Sequence, residues 1–271
     1  ESKLTVCDKI EETISQSLQQ AETLKQSILK KAFEGKLVSV EEEKVNAKLP
    51  NIQLQFPKIV DNITTTDLHA GIISMVIAAH EKNTHYLNRL NHVKCEKIAH
   101  MVEAKIGLSL GREPVKDAAG PDDYNHLTKV EHRANMANWF GCKKMGIGRT
   151  YYSKSGIKNL IDKVRNTLKS EELNEIDKLI MTFLPFELEH AELIATIYAG
   201  WNNLLLYGQN PTDEEIVIES RENWSERKLT IERDKFFKTL NWMRLHGFIP
   251  EGKGKLVLKN EKVTKTKKRN L

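Results

Sequence analysis

Gln19–Val38 reads QQAETLKQSILKKAFEGKLV, and the rest of the chain is interpreted outward from it. Traced back to Cys7, apolar or small residues recur at heptad spacing, with Cys7, Ile14, Ala21 and Ile28 at one seam position and Ile10, Ser17 and Leu24 at the other. Polar residues occupy the opposite side. The spacing predicts one helix from about Ser2 to Glu34, roughly 50 Å long at 1.5 Å rise per residue, with Gly35 suited to ending it. Small residues such as Ser17 and Ala21 permit close approach but bury little area, so this helix needs a partner. Periodicity alone fits one arm of any antiparallel coiled coil.

The chain has 271 residues, enough for one large or two ordinary domains, and it begins at Glu1, so it reads as a fragment. No apolar run approaches the roughly 20 residues that a membrane span needs, and no signal peptide is legible, which predicts a cytoplasmic protein away from membranes. Three cysteines, Cys7, Cys95 and Cys142, are odd in number and far apart. They fit reduced thiols packed as small core residues, and they argue against a disulfide framework or a zinc knuckle. Net charge is +5, but Glu251–Leu271 holds eight cations against two acids, so the other 250 residues carry about −1. A body-wide DNA-wrapping surface is therefore not expected. The end VTKTKKRNL reads as a solvated basic tail.

The expected organisation is mainly α: a coiled-coil spacer helix over 1–38, a linker over 39–65, a helical domain with a β-hairpin over 66–185, a winged-helix-like subdomain over 186–258 and a basic tail over 259–271. Helices are expected over Asp67–Lys82, from Leu87 or Leu90 to Ile106, Asn125–Asn138, Ser155–Leu168, Glu171–Leu184, Leu188–Tyr207, Thr212–Trp224 and Ile231–His246. Between them, Leu108–Tyr124 is dense in Gly, Pro and Asp and reads as irregular. Trp139–Lys144 and Arg149–Ser153 should pair as a hairpin around Met145–Gly148. Three helices followed by the extended pair IPEGKGKLVL give the order of a winged helix-turn-helix.

Chemistry-bearing patterns are few. His80, Glu81 and His85 fall in HEKNTH, whose i, i+5 spacing cannot put two imidazoles on one helix face as HExxH does, so they read as surface or capping residues. Gly146-Ile147-Gly148 lacks the third glycine of a dinucleotide fingerprint and the GK[ST] of a P-loop. With Lys143, Lys144 and Arg149 beside it, it reads as a basic hairpin and a candidate DNA contact. Asp117, Asp122, Asp123, His126, Glu131, His132 and Arg133 form an acid-rich stretch, but a nuclease metal site needs carboxylates on adjoining strands, and this stretch reads as loop then helix. Ion pairs and caps are the expected use. Arg233, Lys235 and Lys238 would be the DNA contacts of a recognition helix, although Phe236, Phe237, Leu240, Trp242 and Met243 leave that helix little free face. No nucleophile elbow, paired Cys/His or methyltransferase glycine motif is legible, so neither a catalytic residue nor a cofactor or metal is expected.

The wording of Gln19–Val38, above all ETLKQSILKKAFEGKLV, resembles the C-terminal conserved helix of the specificity subunits of type I restriction-modification enzymes. GREPVKDAAGP, KVEHRANMANWF, HAELIATIYAGWNNLLL, RENWSERKLTIERDKFFKTLNWM and HGFIPEGKGK resemble C-terminal extensions on some of these subunits. Lys97–Trp139 is also distantly similar to a domain of certain antitoxins, which implies protein interaction. The main resemblance implies a non-catalytic spacer and docking scaffold for methyltransferase and restriction subunits, with double-stranded DNA read by recognition domains outside this sequence. It further implies that the seam of Cys7–Ala32 packs on another conserved helix, so the isolated chain should self-associate. The alternative is a stand-alone winged-helix DNA-binding regulator.

Overall fold

The computed structural model describes residues 63–145 and 148–259. The seam residues Cys7, Ile10, Ile14, Ser17, Ala21, Leu24 and Ile28, most of the linker, the Gly146–Ile147 turn and the tail beyond Lys259 lie outside the described residues. Among the described residues the fold is mainly helical, with one sheet of three short strands and one of two.

Helix α1, Thr65–Lys82, starts where the Thr64 hydroxyl accepts from Asp67 N at 3.1 Å. Leu68, Ile72, Ile73, Val76 and Ile77 are buried, as are His69, Ser74 and His80, so this helix is covered on nearly every side. Gly71 permits that cover: a Cβ there would lie 2.3 Å from Val164 Cγ2 on the helix Ile157–Thr167.

The helix expected from Leu87 or Leu90 to Ile106 starts at His92 and reaches Ile106. A 3-10 turn spans Thr84–Arg89, and α2, His92–Met101, begins anew because the Asn91 side chain caps Lys94 N at 2.8 Å. A π-helical turn, Val102–Ile106, then runs to Gly107 at φ +82°.

The segment expected to be irregular carries two strands, β1 (Val115–Asp117) and β2 (Gly120–Asp122), paired antiparallel. Helix α3, Tyr124–Met136, follows, capped by Asp123. The hairpin forms as expected: β3, Phe140–Met145, and β4, Gly148–Ser153, pair in register from Phe140↔Ser153 to Met145↔Gly148. Helices α4 (Ile157–Thr167), α5 (Ser170–Phe183) and the long apolar α6 (Leu188–Leu206) come next. A capping box between Thr212 and Glu215 opens α7, Asp213–Val217, which passes into a π turn at Ile218–Glu222. Short α8 (Glu226–Leu229) leads to α9, Arg233–Leu245.

The C-terminal extended pair does not form the wing that the sequence order suggested. Among the described residues its strand is β5, Leu258–Lys259, which pairs in parallel with β1. Two neighbouring asparagines on α6 hold the approach to it. Asn202 Oδ1 accepts from Gly252 N and its Nδ2 donates to Lys253 O, while Asn203 Oδ1 accepts from Val257 N and its Nδ2 donates to Val257 O. Val257, buried with Ala199 and Trp224, anchors the strap. Backbone groups that a wing would have paired with each other are thus satisfied by side chains. One apolar cluster from Ile63 to Phe248 draws on all nine α-helices among the described residues except α8.

Candidate functional site

Helix α2 carries Lys94, Glu96, Lys97 and His100 within two turns, and all four side chains are buried. Charged residues on a helix normally face water. Here α2 packs against α1, α5, α6 and β2, so no face is left for solvent. Each buried charge must then find protein partners.

Glu96 is the centre. Its Oε2 accepts from Arg112 Nη2 at 2.8 Å, and its Oε1 lies 3.0 Å from His69 Nε2, without hydrogen-bond alignment. Burial by itself would raise the Glu96 carboxyl, but Arg112 and His69 outweigh it and hold the group well below the usual carboxylate range. Arg112, fully buried, also donates to Glu103 Oε2 at 3.3 Å, and the second oxygen of Glu103 accepts from Leu110 N at 2.8 Å. Burial opposes the Arg112 charge, and the two carboxylates more than restore it. His69 stacks on His126, with ring centroids 5.3 Å apart.

Two lysines on α2 are handled differently. Lys97 donates to Pro121 O at 2.8 Å and has Asp122 nearby, yet burial still lowers it to about 8. Lys94 donates to Leu184 O at 2.8 Å and Phe186 O at 2.9 Å, tying α2 to the turn between α5 and α6. Its third neighbour is His80 Nε2 at 3.3 Å, and His80 Nδ1 lies 2.8 Å from Val76 O. That geometry assigns the proton to Nδ1 and leaves Nε2 as the acceptor. Burial and the adjacent ammonium keep His80 neutral, lowering it to about 4. His80 is therefore a core residue, not the surface or capping residue expected, while His85 is exposed.

His100 lines a cavity of about 30 Å³ with Glu103, Ala104, Pro114, Ala199, Asn202 and the 253–257 strap. Burial first, then Arg112 and Lys97, hold its imidazole well below the ordinary value. That space exceeds the roughly 10–15 Å³ needed to hold one water.

The acid-rich stretch divides among structural partners. Asp123 caps α3 and accepts from Glu113 N at 2.7 Å. Arg133 pairs with Asp67 at 3.0 Å, and Glu131 takes Arg149 at 3.0 Å and the Tyr151 hydroxyl at 2.6 Å. Asp117 and Asp122 do stand on adjacent strands, contrary to the loop expected there. Among the described residues, however, no group of three or more His, Cys, Asp or Glu side chains is placed to hold a metal ion. Cys95 is a core residue, whereas Cys142 on β3 is exposed rather than packed.

The six candidate DNA-contact residues separate into two kinds. Arg149 is engaged by Glu131. Arg233 is engaged by Glu214 at 2.5 Å and Glu222 at 3.0 Å, Lys235 by Glu189 at 2.7 Å, and Lys238 by Asp234 at 2.6 Å. Lys143 and Lys144 are exposed and have no acidic partner among the described residues. Sequence reasoning missed the interior cluster because KCEKIAHMVE reads as an ordinary helix with a polar face. The available signal was that Val102, Ile98, Ala99 and Met101 flank the charges all round, leaving no polar side wide enough for water.

No protein-family model, no curated protein and no solved structure matches this chain.

Proposed function

We propose that this chain is the C-terminal part of a type I restriction-modification specificity subunit, working as a non-catalytic spacer and docking scaffold for the methyltransferase and restriction subunits. The wording of Gln19–Val38 carries this reading, because its heptad seam requires a helical partner and its residues resemble the family's conserved helix at nearly every position. The body from Ile63 to Lys259 is consistent with a scaffold: Arg112 joins Glu96 and Glu103 in the interior, and Lys94 and Lys97 tie α2 to the backbone carbonyls of Leu184 and Pro121. The winged-helix regulator is less well supported. Its recognition-helix cations are already neutralised by acids, and the strand expected to build the wing joins β1.

The test is co-purification of the full chain with the methyltransferase subunit of the same system, alongside light scattering of the chain alone. The reading expects a stable complex, and a self-associated species when the partner is missing. A monomeric chain that leaves the methyltransferase subunit in the flow-through would refute it.

A further inference from the structure

We infer that the β3–β4 hairpin is a contact for the phosphate backbone of duplex DNA, made by Lys143 and Lys144 and steadied by Arg149 and Tyr124. This rests on the reading of the chain as part of a DNA-modification assembly, and names a surface of it that touches the nucleic acid.

The charge pattern is local. Phe140–Lys154 contains Lys143, Lys144, Arg149 and Lys154 and no acid. Lys143 stands opposite Thr150 and Lys144 opposite Arg149, so the two lysines, being successive in the strand, belong to opposite faces of the ribbon. Arg233, Lys235 and Lys238, and Arg149 in the hairpin itself, are paired with carboxylates, whereas Lys143 and Lys144 are exposed with no acidic partner among the described residues. Beside Lys144, the Arg149 guanidinium sits 5.9 Å over the Tyr124 ring, which is 63% exposed.

The ribbon is also rigidly mounted, which a lysine pair on a floppy loop would not be. The Thr150 hydroxyl donates to Leu90 O at 2.7 Å, the Tyr151 hydroxyl to Glu131 at 2.6 Å, and Tyr151 packs edge-on against Phe140. Tyr152 lies across Gly141, where a Cβ would come within 2.3 Å of its ring, so the cross-strand aromatic covers the glycine. A two-stranded ribbon of this kind fits the major groove, about 12 Å wide. Phosphate neutralisation by lysine supplies sequence-independent affinity, which suits a scaffold whose base reading is done elsewhere.

The full chain is titrated with a random-sequence 30-base-pair duplex by fluorescence anisotropy across a salt series, with Lys143→Ala/Lys144→Ala, Lys143→Arg/Lys144→Arg and Lys235→Ala/Lys238→Ala compared. Two lost phosphate contacts should lower the slope of log K against log salt by about 1.8 and the affinity at 0.1 M salt by roughly 50-fold. The arginine variant should retain the slope, and the α9 variant should leave it unchanged. An unchanged slope in the hairpin alanine variant overturns the inference. So does capture of poly-glutamate but not duplex by the wild-type hairpin, which would assign it to an acidic protein instead. Co-purification with the methyltransferase subunit, measured on the same preparations, should be unaffected by the hairpin substitutions, so failure of the DNA contact is distinguishable from failure of the docking role.

Discussion

Arg112→Met should destabilise the folded body by about 3–5 kcal/mol, the usual loss when one partner of a buried ion pair is removed. The side chain is fully buried and bridges Glu96 and Glu103, with its short bond, 2.8 Å, on the carboxylate that has no exposure at all. Methionine fills most of the volume but leaves Glu96 with only His69, 3.0 Å away, and the weaker influence of Lys97. In the wild type, Arg112 first and His69 second overcome burial and hold Glu96 below its ordinary value. The associated stability is therefore present above the unfolded carboxyl pKa and lost as pH falls through the folded one. In the variant, burial prevails and the folded pKa rises above the unfolded one, so the sign reverses. The variant should gain relative to wild type as pH drops from 7 toward 5. Urea denaturation at pH 7 and pH 5 measures both effects, and thermal unfolding should show a loss of roughly 6–20 °C. Adding Glu96→Gln should restore about half or more of the loss, because the orphaned charge is gone. A loss under about 1 kcal/mol, or a double variant no better than Arg112→Met, would refute the assignment of Arg112 as the keystone of the interior charges.

His80, lowered to about 4 by burial and the Lys94 ammonium, gives the body an acid-sensitive step. Between pH 6.5 and about 4 the unfolded chain binds the extra proton, so stability should fall as pH is lowered across that window. The corresponding part of the urea-midpoint profile should flatten in His80→Gln, and an unchanged profile would assign the acid sensitivity elsewhere. Gly71→Ala forces a methyl to within 2.3 Å of Val164 Cγ2, and the strain should outweigh alanine's better helix propensity for a net loss of about 1–2 kcal/mol. Val164→Ala in the same chain should recover part of that loss, and additive losses in the double variant would show that the two sites do not touch.

Much of the helical layout was legible because apolar spacing and local stop signals act over a few residues. Gly107 after the π turn and the apolar stripe of α6 through Leu193, Ile197, Trp201 and Leu204 place their elements directly. The β3–β4 hairpin was legible from its two β-prone runs and glycine turn. Strands β1 and β2, at three residues each, are too short to leave a period, and their Gly and Pro read as turn chemistry. Of the candidate contact residues, the sequence could name the cations but not rank them, because a lysine's availability depends on which acid sits beside it.

By itself, then, the sequence determined a mainly helical chain with a basic hairpin. Tertiary structure alone decided that the charges of α2 turn inward to meet Arg112, Pro121 and the α5–α6 turn, and that the C-terminal strap joins β1. Partners separated by 16 residues, as Glu96 and Arg112 are, or by 90, as Lys94 and Leu184 are, leave no local pattern. Burial energetics select them only once the helices have packed and water has been excluded.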